Sequence, residues 1–218
     1  MIRQLLPVLL VIASAAAAPQ ARPAAADLAR AVQDKYATVH DFTADFTHVY
    51  EGGVLKKKVS ESGTVQIKKP GRMRWDYTAP EKKLFVSDGH EVYSYIPADK
   101  QVTISAVPPD DDSTTAVLFL AGKGNLPRDF KVSDAAGGDA ESWALRLDPK
   151  QKQHDYDWLI LIVDRRTLQI KTLVAADQQG GRSTFQFTNY HENTGVADSV
   201  FTFKIPRGVD VIRADSGR

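Results

Sequence analysis

From Ala25 to Val39 the apolar residues Leu28, Val32, Tyr36 and Val39 return every third or fourth position, with Arg30, Asp34 and Lys35 between them. That spacing predicts one amphipathic helix with Asp27 in its acidic first turn. The period then drops to two. Phe42, Ala44 and Phe46 alternate with Thr43, Asp45 and Thr47, and Val65 and Ile67 alternate with Thr64, Gln66 and Lys68, as strands with one buried face do. Turn signals follow at Pro70-Gly71, Asp88-Gly89, Pro97-Ala98-Asp99-Lys100, Asp164-Arg165-Arg166-Thr167 and Gln178-Gln179-Gly180-Gly181. Between them lie strand-like runs at 84–87, 91–96, 101–107, 143–147, 158–163, 168–175, 182–190 and 200–205. The pattern is that of a long antiparallel meander.

One stretch interrupts it. Asp110-Asp111-Asp112-Ser113 has the acidic, capping character of a helix start, Thr115 to Ala121 supplies a short apolar segment, and Gly122-Lys123-Gly124-Asn125 ends it. The expected fold is therefore mainly β (α+β): an antiparallel sheet of about eleven strands closed over by helices. Neither an internal repeat nor an interdomain linker breaks the chain, so residues 27–213 are expected to form one domain.

The stretch from Lys68 to Tyr77 shows what such a sheet does with its apolar residues. If a strand runs from Val65 to Tyr77 without a bulge, then Val65, Ile67, Lys69, Met73, Trp75 and Tyr77 share one face, and Lys68, Arg72, Arg74 and Asp76 share the other. The apolar row is expected inside and the arginines in solvent. A bulge at Pro70-Gly71 would break the register.

Composition narrows the setting. The chain has 218 residues, 43% hydrophobic and 25% charged, with a formal net charge of +1, so it advertises no polyanion and no nucleic-acid partner. Met1-Ile2-Arg3, the apolar run Leu5 to Ala13 and the small residues Ser14 to Ala18 read as a secretory signal peptide over residues 1–18, with cleavage as late as Ala26 also open. Its apolar run is shorter than the roughly 18 to 20 residues of a spanning helix. The mature chain is thus expected to be exported and soluble. With no cysteine, it has no disulfide, zinc-thiolate site, cysteine nucleophile or cysteine-linked lipid anchor.

Enzymatic motifs are missing. The histidines at 40, 48, 90, 154 and 191 form no ligand pair of the His-Glu-x-x-His type and read as surface or loop residues. Gly122-Lys123-Gly124-Asn125 lacks the spacing and hydroxyl of a phosphate-binding loop, and no Gly-x-Ser-x-Gly elbow occurs. Asp110 to Asp112 lack the alternating ligands of a calcium loop. No metal, cofactor or catalytic residue is expected, although carboxylates that meet only in space leave a hydrolase open as an alternative.

Five segments carry a resemblance. Asp41-Phe42-x-Ala44-x-Phe46-Thr47, Gly63-x-Val65-x-Ile67-Lys68-Lys69-Pro70-Gly71-x-x-x-Trp75, Val86-Ser87-Asp88-Gly89, Tyr95-x-Pro97 and Phe201-x-Phe203-x-Ile205-Pro206-x-Gly208-Val209-Asp210 follow one another as in the LolA family of periplasmic lipoprotein carriers. The chain resembles that family over nearly its whole mature length. The resemblance implies an unclosed antiparallel half-barrel whose concave apolar cavity is covered by a helical lid. It places Val65, Ile67, Met73, Trp75 and Tyr77, with Leu118 and Phe119 of the lid, around the acyl chains of the cargo. Lys69 stands where the family's lid-contacting residue is usually arginine, and lacks the planar five-donor fork. Met73 stands where an aromatic is common, and its thioether suits a pocket for variable chains.

The resemblance also implies partners: an inner-membrane LolCDE-type transporter that loads the carrier and a LolB-type outer-membrane acceptor. The carrier would act as a monomer in the periplasm, with Lys56-Lys57-Lys58, Lys68-Lys69 and Lys82-Lys83 as a candidate basic docking edge. Exposing a triacyl anchor of about 45 methylenes to water costs roughly 36 kcal/mol at about 0.8 kcal/mol each, so unassisted crossing of the periplasm is negligible. Alternatives of the same fold are a periplasmic module that senses a lipid or lipoprotein, and a carrier of another lipid.

Overall fold

The computed structural model describes residues 22–52, 58–107, 120–122, 124–153 and 155–214. The expected helix is α1 (Ala25–Ala37), which buries Leu28, Ala29, Val32 and Tyr36 and keeps Lys35 in its last turn. Its apolar stripe lies against the sheet, which supplies most of the stability of so short a helix.

Alternation then builds β1 (Asp41–Glu51), β2 (Lys58–Lys68), β3 (Arg72–Ala79), β4 (Lys83–Asp88), β5 (Glu91–Ile96) and β6 (Gln101–Ala106). After α2 (Leu126–Asp129) come β7 (Phe130–Asp134), β8 (Ser142–Pro149), β9 (Trp158–Asp164), β10 (Ile170–Ala176), β11 (Arg182–Glu192) and β12 (Asp210–Arg213). They form one sheet in the order β12-β6-β5-β4-β3-β2-β1-β11-β10-β9-β8-β7. All neighbours are antiparallel except β12, which lies parallel to β6. β12 and β7 end the order without meeting, so the sheet is unclosed.

Three expectations change. The sheet has twelve strands, including the short edge strands β7 and β12. The run 200–205 is not a strand: Asp198–Phe201 is a 3-10 turn, and the chain beyond it crosses the sheet without pairing. The stretch from Val65 to Tyr77 is two strands, because the chain reverses at Lys69-Pro70-Gly71, with Gly71 at φ 72°. The face assignment survives this reversal. Val65 pairs with Trp75 and Ile67 with Met73, and cross-strand partners point to the same side.

The outward row is not bare either. Lys68 Nζ donates to the Val196 carbonyl (2.8 Å) and Asp198 (2.6 Å), Arg72 reaches the same carboxylate at 2.8 Å, and Arg74 holds Asp76 at 2.7 Å. These cations clamp the C-terminal segment over the convex face. Beneath it Val86, Val102, Ile104 and Phe201 are buried, and Phe203 sits 5.5 Å from the ring of Tyr93 and 5.7 Å from that of Tyr95. The sheet thus has a main core on its concave side and a smaller one on its convex side.

Short motifs fix the turns. Asp41, buried, accepts from Thr194 N at 2.7 Å, Thr194 Oγ1 at 3.1 Å and Gly195 N at 3.1 Å, pinning the chain after β11 to the start of β1. Ser87 Oγ donates to the Gly71 carbonyl at 2.8 Å and ties one hairpin to the next, while Asp88 Oδ1 accepts from His90 N and Glu91 N at 2.8 Å. At Gly63 a Cβ would collide with the Asp76 carbonyl, and Phe46 and Tyr77, its cross-strand neighbours, meet edge to face at 4.8 Å.

Candidate functional site

The concave face is continuous and apolar. Ala44 faces Val65, Val65 faces Trp75, and Trp75 faces Phe85 across successive strands. Val65, Ile67, Met73, Trp75 and Tyr77 are all buried in the main core, with none more than 9% exposed. Phe46, Phe185 and Phe187 complete the wall, with Trp75 at 4.9 Å from Phe46, 5.4 Å from Phe185 and 6.2 Å from Phe187. Burial pushes the Tyr77 phenol up, so it stays neutral. Leu118 and Phe119 lie outside the described residues, as do Asp110 to Asp112 and most of the expected helix 115–121. Leu120 and Ala121, which follow, are buried in the same core.

The cover is α1 together with Leu120–Gly122, and Lys69 joins it to the sheet. Lys69 Nζ donates to the Tyr36 carbonyl and stands 3.6 Å from the centre of the Tyr36 ring. The Tyr36 hydroxyl donates to the Leu120 carbonyl, and Gly71 N donates to the Ala121 carbonyl at 2.8 Å. Gly122, at φ +83°, lets the lysine stem pass: a Cβ there would lie 2.8 Å from Lys69 Cδ. Burial lowers the Lys69 ammonium to about 8, against the opposing pull of Glu192. Lys35 pairs with Glu192 at the end of β11, and Leu126 N donates to Gln33 Oε1 at 2.9 Å, linking α1 to α2. Asn125, expected to end a helix, instead caps α2 by accepting from Arg128 N at 2.9 Å.

Toward the far end of β1 the same face turns polar. His48 is not a surface histidine: its side chain is 14% exposed, and its ring stacks on Phe185 at 4.2 Å. Its Nδ1 lies 3.2 Å from Glu61 Oε2, and Lys83 holds the other oxygen of that carboxylate. Burial lowers the His48 pKa, with Glu61 opposing and Lys83 assisting. Alternation along Phe42, Ala44, Phe46 and His48 points the imidazole inward. Its burial depends on Glu61 and Lys83, which arrive from β2 and β4.

His40, His90 and His191 are exposed, and His154 lies outside the described residues. No group of three or more metal-ligating side chains occurs among the described residues. The candidate basic edge is described only in part, with Lys82 exposed. Lys58 pairs with Glu51, Lys68 with Asp198 and Lys83 with Glu61, and Lys69 is turned into the cover, while Lys56 and Lys57 are not described. Among the described residues no helix is long and apolar enough to cross a membrane.

Sequence and fold comparisons agree with this architecture. Residues 37–204 match the family described as outer membrane lipoprotein carrier protein LolA. The outer-membrane lipoprotein carrier protein of Chromohalobacter salexigens is 30% identical over 81% of this chain and 82% of its own. That of Hahella chejuensis is 30% identical over 96% of this chain and 98% of its own. A conserved protein of known crystal structure from Thermus thermophilus shares the fold at a TM-score of 0.55 and 12% identity, covering 87% of this chain and 99% of that one. With an unclosed sheet, a covered apolar face and a match along most of its length, the chain belongs to the LolA family of outer-membrane lipoprotein carrier proteins.

Proposed function

We propose that the chain is a periplasmic carrier, exported by the signal peptide at 1–18 and working as a single domain over 27–213. It takes lipoproteins from an inner-membrane LolCDE-type transporter and delivers them to the outer membrane, to a LolB-type acceptor where one exists. The observation that carries this reading is the continuous apolar wall of Val65, Ile67, Met73, Trp75 and Tyr77, covered by a helix that the sheet holds through Lys69 and a few other polar contacts. Acyl chains in water strongly favour such a wall. The chains start and end in membranes, so the carrier need only match a bilayer, and a cover with two nearly balanced states suits loading and unloading. The cover opens, the chains replace its contacts with the wall, and Lys69 sets how readily it closes. The carrier performs no chemistry and needs no cofactor.

The test is a release assay. Purified mature protein is added to spheroplasts of the source bacterium, and lipidated proteins in the soluble fraction are identified by mass spectrometry. One-to-one soluble complexes that form only with ATP available to the transporter are expected, and a Trp75→Asp variant that keeps its fold should release few. Absence of complexes, with a known carrier active in parallel, would overturn the reading.

A further inference from the structure

The concave wall holds polar atoms that its neighbours leave unsatisfied. Among the described residues, His48 Nε2 and Trp75 Nε1 are buried without a hydrogen-bond partner. They belong to one patch: the imidazole stacks on Phe185 at 4.2 Å and the indole meets the same ring at 5.4 Å. Unpartnered buried polar atoms are destabilising and uncommon, so two on the wall that a ligand would fill require a reason. Trp143 Nε1, also unpartnered, belongs to β8, near Arg165 at 5.5 Å, and is no part of this patch.

The two atoms have opposite character. Indole N–H is a donor only. The Glu61 carboxylate, held by Lys83, accepts from His48 Nδ1, so the ring proton sits on Nδ1. In the neutral ring that burial favours, Nε2 is then an acceptor. The wall thus offers one acceptor and one donor on the same aromatic patch.

We infer that His48 Nε2 and Trp75 Nε1–H form a binding station for the secondary amide at the head of an N-acylated ligand. The amide N–H donates to His48, its carbonyl accepts from Trp75, and its chain lies along the apolar wall. Glu61 and Lys83 act through His48, as positioning residues that fix its tautomer. An ester satisfies only the indole, and a hydrocarbon satisfies neither. The inference rests on the acyl-carrier reading above and adds to it a preference for the linkage.

The experiment offers the mature protein an equal mixture of N-methylhexadecanamide, methyl hexadecanoate and hexadecane, and quantifies bound ligand by mass spectrometry after gel filtration. The amide is expected to be favoured over the ester by about tenfold, the scale of one buried hydrogen bond. His48→Phe keeps a ring on Phe185 and leaves Glu61 with Lys83, and should bring the amide-to-ester ratio near one. His48→Gln, which restores an acceptor, should recover part of it. Trp75→Phe should lower amide and ester together against hexadecane, which reads the donor separately from the acceptor. Equal binding of amide and ester by the unaltered protein, or a preference that survives His48→Phe, would overturn the station while leaving the carrier reading intact. Failure to take up any of the three would overturn both.

Discussion

On the proposed reading, in which the cover opens and closes, Lys69 passes between two environments and its charge makes closure depend on pH. In the closed form burial lowers the ammonium to about 8, whereas a lysine freed into water titrates near 10.4. Between those values the open form binds more protons than the closed one, so raising the pH through that window favours closure. Burial pushes the phenols of Tyr36 and Tyr190 upward in the closed form, and a Tyr36 freed into water titrates near 10, so it opposes this trend only at the top of the window. Uptake of an environment-sensitive apolar dye by the mature protein is therefore expected to fall as the pH rises from about 8 to about 10. Lys69→Arg, which stays charged throughout, should flatten that dependence. A profile unchanged by Lys69→Arg would assign the titration to another group. Asp41 gives a prediction of a different kind. Asp41→Ala leaves the Thr194 and Gly195 N–H groups without their acceptor and should cost about 1–3 kcal/mol, read as a lower urea midpoint at constant m-value.

At the scale of the element, alternation made the concave wall legible, and it failed where a segment serves another segment's needs. On the premise of a single strand, Val65, Ile67, Met73, Trp75 and Tyr77 share one face. The chain reverses instead, and they remain together because the hairpin register pairs odd-numbered residues with odd-numbered ones. Phe201, Phe203 and Ile205 alternate as a strand does, yet they belong to a strap that crosses the convex face. There Val86, Val102 and Ile104 are buried, and that demand arises from β4 and β6, not from the strap's own pattern. The contacts of the lid were equally hidden, because Lys69 seeks a backbone carbonyl of Tyr36, and which carbonyl a cation finds is set by packing rather than by residue type. Phe201→Ala tests the convex core. Phe201 is 1% exposed, so its truncation should cost about 3–5 kcal/mol of unfolding free energy while the concave wall still binds acyl ligands. Equal losses of stability and of ligand binding would mean that the two faces are one cooperative unit.

For the whole molecule, the covered wall is already filled. Val65 and Ile67 are 0% exposed, and Trp75, packed against Phe46, Phe185 and Phe187, is 2% exposed. On the proposed carrier reading, acyl chains enter by exchange: the cover of α1 and Leu120–Ala121, which shares the core with the wall, gives up its seat while the sheet beneath keeps its pairing. That exchange explains how a carrier can bind apolar chains and still let go, since the cover's own burial competes with the ligand and offsets most of the gain. Amide hydrogen exchange on the mature protein, with and without an N-acylated ligand, reads it directly. Peptides spanning Leu28 to Tyr36 should lose protection on loading, because α1 leaves the wall, whereas β1, β2 and β3 should hold theirs or gain. If α1 became more protected along with the sheet, the chains would be entering beneath a cover that stays shut. Lys69 would then be a fixed brace, and the pH dependence argued for it would have to vanish as well.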